Sequence, residues 1–119
     1  MTSLEDERKV IEKIYQLMVE SSPANATEII CRFEYYQGED GSRSVDDGFS
    51  YCLHGNRESA WLKYKKNKSE RPITLVSTLH RLMKAHTGGE WDAFVVRIDD
   101  DGAVKTKFEY PDTAASNQR

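Results

Sequence analysis

The sequence predicts an α+β domain in which two helices pack on one face of a four-stranded antiparallel sheet, in the order α-β-β-α-β-β. Three observations carry this. Apolar residues recur at helical spacing twice, over 3–20 and 70–87, and alternate with polar ones in two pairs of segments. Each alternating pair is joined by a short glycine-containing turn, which is hairpin chemistry. Lone hairpins are marginal in water, so their apolar faces need the helices.

Ser3, with Asp6 three residues on, suits a helix start, and Glu5, Asp6 and Glu7 favour its positive end. Ile11, Ile14, Leu17 and Met18 form one stripe with Leu4 and Val10 at its flanks, so a helix is expected from Ser3 to Glu20. The run Ser21-Ser22-Pro23-Ala24-Asn25 ends it. In Glu28–Tyr36, Ile29, Cys31, Phe33 and Tyr35 alternate with Ile30, Arg32, Glu34 and Tyr36, a strand with one apolar face. The turn residues 37–43 lead to a second strand in which Phe49, Tyr51 and Leu53 alternate with Ser50, Cys52 and His54.

The stretch 55–71 is least regular, and periodicity leaves Asn56–Tyr64 open between a short helix and an extension of the sheet. A second helix follows, with Pro72 in its first turn after Ser69 or Glu70, and Ile73, Val76, Leu79, Leu82 and Met83 on its apolar stripe. Gly88-Gly89 stops it. The clearest stretch is Trp91–Asp112. Phe94, Val96 and Ile98 precede Asp100-Asp101-Gly102, and Val104, Thr106, Phe108 and Tyr110 resume the alternation until Pro111. One domain over 1–112 is expected, with a frayed polar tail over 113–119.

The chain of 119 residues carries 17 basic and 20 acidic side chains, a formal charge of −3, which disfavours general nucleic-acid binding. No apolar run approaches the roughly 20 residues of a membrane helix. The charged amino-terminal residues lack a signal-peptide core, and Cys31 and Cys52 make no disulfide framework, so a reduced, cytoplasmic protein is expected.

Chemistry is sparsely signalled. Cys31, Cys52 and His54 lack the spacing of a zinc site, and Cys31 reads as a small buried apolar residue. His54, His80 and His86 fit a strand's outer face and the polar side of a helix. No nucleophile elbow, phosphate loop or metalloprotease helix occurs, so the expectation is a non-enzyme with no cofactor and no metal. Residues 57–71 hold six cations against two carboxylates, with Trp61 and Tyr64 interleaved. That composition fits single-stranded nucleic acid, but the plainer reading is a solvated loop whose aromatics anchor it in the core. Two acidic regions mirror it, each with five carboxylates against one arginine: 34–47 and 90–101. If the two hairpin turns fall at one end of the sheet, they make a single negative rim able to capture a basic partner. Its candidate contact residues are Glu39, Asp40, Asp46, Asp47, Asp99, Asp100 and Asp101, with Tyr36 as an aromatic anchor.

The element order, Ile14-Tyr15 in the first helix, the tyrosine-rich second-strand region and the terminal series Trp91, Asp101-Gly102 and Phe108-Glu109-Tyr110-Pro111-Asp112 resemble the YezG-like immunity proteins. The resemblance runs from Lys9 to Asp112. It implies a cytoplasmic antitoxin of bacterial competition that binds a cognate secreted or contact-delivered toxin domain, often a nuclease, by covering its active site or blocking its substrate. It supplies no catalytic residue, and its contact surfaces vary with the toxin. The oligomeric state stays open, since an exposed sheet edge serves self-pairing and partner binding alike.

Overall fold

The computed structural model describes residues 3–63 and 71–111. Its elements are α1 (Ser3–Glu20), β1 (Thr27–Gln37), β2 (Arg43–Leu53), β3 (Asn56–Ala60), α2 (Pro72–Thr87), β4 (Ala93–Ile98) and β5 (Val104–Glu109). The sheet is antiparallel throughout, has five strands rather than four, and runs in the order β3-β2-β1-β4-β5. The additional strand is β3. It folds back on β2 through His54-Gly55, both at positive φ (53° and 82°). That is the conformation a two-residue turn needs to match the twist of its strands. His54 therefore sits in a turn and not on a strand face. Ser69, Glu70, Tyr64, Lys65, Lys66, Lys68 and the tail lie outside the described residues.

One face of the sheet is covered by both helices. Register pairs Cys31 with Phe49 and Val96, and Phe33 with Phe94, so these apolar side chains share that face. Ile14, Met18, Val76 and Leu79 close over it, all at 1% exposure or less. Phe33, Phe94, Trp91 and Phe108 form its aromatic centre, with Phe94 5.0 to 5.3 Å from the other three rings. Trp91 is fixed further by its indole N–H, 3.2 Å from Met83 Sδ.

The helix ends follow from local chemistry. Ser21 and Ser22 turn their hydroxyls back to the carbonyls of Leu17 and Met18 at 2.7 and 2.8 Å, satisfying the end of α1. α2 starts at Pro72 and ends at Gly88, whose left-handed φ of 77° lets its N–H donate to the Lys84 carbonyl. Its buried stripe includes Leu75 and His80, whereas Ile73 is exposed, so the helix is rotated from the expected stripe. His80 is thus a core residue, not a polar-face one. No described helix is long and apolar enough to cross a membrane.

Candidate functional site

The outer face of the sheet is laced by charge. Arg32 on β1 pairs with Glu34 at 2.8 Å and reaches across β4 to Glu109 at 2.7 Å. Tyr36 donates its hydroxyl to Glu34 at 2.9 Å. A second chain runs Arg57–Glu28–Arg97–Asp99–Lys105 and so ties β3, β1, β4 and β5 together. Glu28 sits where the β1–β2 register shifts, at a positive φ of 46°. Contacts with Arg32 hold the Glu34 and Glu109 carboxyls below the usual carboxylate range, and Lys105 and Arg97 do the same for Asp99. Together the two networks balance four cations with four carboxylates.

The acidic candidates separate. β1 and β4 are antiparallel neighbours, so the β1–β2 turn lies beside the start of β4 and the β4–β5 turn beside the start of β1. The turns therefore occupy opposite ends of the sheet, and the single negative rim does not form. Several candidates also have structural tasks. Asp40 accepts the Ser42 N–H and Asp101 the Ala103 N–H, each at 3.0 Å. Asp99 is committed to Arg97 and Lys105. Glu39 and Asp100 are exposed turn residues at opposite ends, and Tyr36 is half exposed on the outer face.

Asp46 and Asp47 differ. They are adjacent on β2, Asp46 across from Glu34 on the outer face and Asp47 across from Phe33 on the helix-covered face. Among the described residues neither has an ion-pair partner. Desolvation, with repulsion from Asp46, pushes the Asp47 carboxyl above its ordinary range.

Beside them stands Trp61, 85% exposed. The expectation that Trp61 anchors its loop in the core is overturned. Leu62 takes that place at 7% exposure, and the Lys63 N–H donates to Ser21 Oγ at 2.8 Å. Three shallow depressions share Trp61. One lies toward Val45, Asp46 and Asp47, one toward Gly48 and Phe49, and one toward Tyr51 and the end of α1. A bare indole beside two unpaired carboxylates suits a cationic side chain, through charge and the ring face together. The only foresight available for Trp61 was its cationic neighbourhood, since its orientation depends on the short β3.

Other chemistry is thin among the described residues. Cys31 is fully buried on the helix-covered face, and its thiol is pushed far up by burial. Cys52 lies on the opposite face near Glu28. No described group of three histidine, cysteine or acidic side chains is placed to hold a metal.

No known family model matches the chain. The chain is similar to a "Chorionicgonadotropic hormone-like protein" of Stenotrophomonas maltophilia, with 34% identity over 80 residues. That stretch is 67% of this chain and 18% of the relative, so the chain spans less than a fifth of the relative's length.

Proposed function

We propose that this chain is a protein-binding module of the immunity type, which captures and neutralises a cognate bacterial toxin domain of basic character, a nuclease being the class its charge suits best. The observation that supports the reading is the exposed Trp61 beside the unpaired Asp46 and Asp47. Aromatic anchors in partly desolvated surroundings dominate binding energy in protein interfaces. Carboxylates beside such an anchor steer a basic partner and speed its approach. Occlusion of the toxin's active site or substrate path then follows from occupancy. The setting is cytoplasmic, where such a toxin acts.

A second reading keeps Trp61 as a stacking platform for single-stranded nucleic acid, with Lys63 close by. Asp46 and Asp47 border the same depressions and repel phosphate, and Arg57 is committed to Glu28, so the protein partner is favoured.

The test is co-expression with the protein encoded immediately upstream, followed by a tagged pull-down and a growth assay. A stoichiometric complex with restored growth is expected. No complex and no rescue would sink the immunity reading, and low-salt binding to a labelled single strand would then raise the second.

A further inference from the structure

β2 is longer than the strand that covers it. β3 pairs only with Phe49–Leu53, so among the described residues Arg43–Gly48 has β1 on one side and no strand on the other. The cause lies after Ala60. There the ladder to β2 stops, Leu62 turns into the core and the Lys63 N–H bonds to Ser21 Oγ at the end of α1, while Trp61 and Leu62 stay beside Val45, Asp46 and Asp47 without pairing with them.

The register tells which backbone groups are left open. The Tyr35 N–H donates to the Asp92 carbonyl at 2.9 Å, so the odd-numbered residues of β1 turn their backbone groups toward β4. Arg32, Glu34 and Tyr36 therefore turn theirs toward β2, where they meet Gly48, Asp46 and Ser44. Val45 and Asp47, between those positions, point their N–H and C=O groups outward.

We infer that the Arg43–Gly48 edge is a strand acceptor: it takes an extended segment of the partner protein bearing lysine or arginine, hydrogen-bonded to Val45 and Asp47 and flanked by Trp61. The inference rests on the protein-capture reading and adds its mode. The charge of the edge selects the occupant. An added strand projects side chains to both faces, and this edge offers a carboxylate on each, Asp46 on one and Asp47 on the other. A cation on the Asp47 face also lies beside the indole. A second copy of this edge in the register that sets Val45 opposite Asp47 would place the two Asp46 side chains against each other, which disfavours that self-pairing. The opposite edge, β5, carries Lys105 and Lys107 and is unsuited to a basic strand.

The test titrates the whole chain with an acetylated nine-residue peptide alternating valine and lysine, and with a valine–glutamate counterpart. Amide exchange and the fluorescence of Trp61 are followed, with Trp61→Phe as the spectral control. The lysine peptide is expected to protect the Val45 and Asp47 amides, and the glutamate peptide to leave them unchanged. Asp47→Asn should weaken binding by up to about tenfold. Asp47→Pro should abolish it, because proline removes an outward N–H that the ladder to β1 does not use. Circular dichroism checks that the proline variant folds, and amide protection in the unsubstituted chain carries the test if it does not.

Failure of the lysine peptide to bind, binding without protection of those amides, or equal binding by the Asn and Pro variants overturns the proposal. Self-association lost in Asp47→Pro overturns it too, since the occupant would then be a second copy. The two readings fail separately. If Asp47→Pro still restores growth in co-expression, strand addition falls and immunity stands. If the peptide binds as described but no toxin is captured, the reverse holds.

Discussion

His80 lies face to face with Tyr35, ring centroids 4.4 Å apart, so that α2 is fastened to the central strand through two stacked rings. Trp91 meets the same imidazole edge-on at 4.8 Å. Desolvation holds His80 below its ordinary value of 6.5, opposed by its bond to the Trp91 backbone and by Glu90, with Lys84 adding to the depression. The unfolded chain therefore takes up this proton at a higher pH than the folded one. Between the two values the unfolded state binds more protons, so stability falls as pH drops below 6.5. Melting temperature should decline as pH falls below 6.5, and His80→Phe, which keeps a ring in place, should flatten that part of the profile. An unchanged slope in the variant would remove His80 as the cause.

Trp61→Ala separates binding from folding. With 85% of the residue already exposed, the substitution should shift unfolding free energy by less than about 0.5 kcal/mol in urea titration. Loss of the indole should nonetheless weaken capture of the partner by about tenfold or more, the scale of an interface anchor. A large loss of stability would show that Trp61 supports the fold instead.

The two acidic ends give opposing expectations. Reversing Asp46 and Asp47 to lysine should slow association with the toxin and remove most of its salt dependence. Reversing Asp100 and Asp101, at the far end of the sheet, should leave the on-rate nearly unchanged, because screening confines exposed charges to about 8 Å. Stopped-flow association at several salt concentrations decides between the surfaces.

Glu28 combines a left-handed backbone with two arginine partners. Glu28→Ala loses both partners and keeps a Cβ at a φ of 46°. Glu28→Gly loses the partners but accepts the backbone freely. The alanine variant should therefore be the less stable by about 1 kcal/mol, measured as a difference in chemical denaturation midpoints at equal slope.

Phe94 is fully buried and touches three aromatic rings. Phe94→Ala should cost about 3–5 kcal/mol of unfolding free energy through lost burial and an unfilled cavity. A cost under about 1 kcal/mol would mean that Trp91 and Phe108 collapse into the space.

Both helices and the two principal hairpins were legible because their periodicities are long and consistent: Ile29 to Tyr35 at every second residue, Ile14 to Met18 on one helical stripe. β3 was not. Its five residues, Asn-Arg-Glu-Ser-Ala, are exposed up to Ala60 and show no apolar alternation, and its turn uses histidine where asparagine or aspartate would be the usual signal. His80 was misread because a polar residue beside Leu79 looks like a helix flank until Tyr35 and Trp91 are seen to enclose it. Charge counts placed Asp46 and Asp47 in an acidic region of the sequence. They did not reveal that the other acidic turn lies at the opposite end, which depends on how the hairpins meet. Nor did they separate carboxylates committed to arginine or to turn amides from those left unpaired.

The strand order has a consequence for synthesis. β1 is translated before every other strand, yet it occupies the middle of the finished sheet and waits for β4, which lies beyond β2, β3 and α2. On a ribosome adding about 5–20 residues per second, that interval is on the order of 3–13 seconds. During that interval the Ile29–Glu34 edge of β1 has no β4 to pair with. Slower elongation or early chaperone engagement is therefore expected to change the yield of this protein in overexpression even where the stability of the completed domain is unchanged.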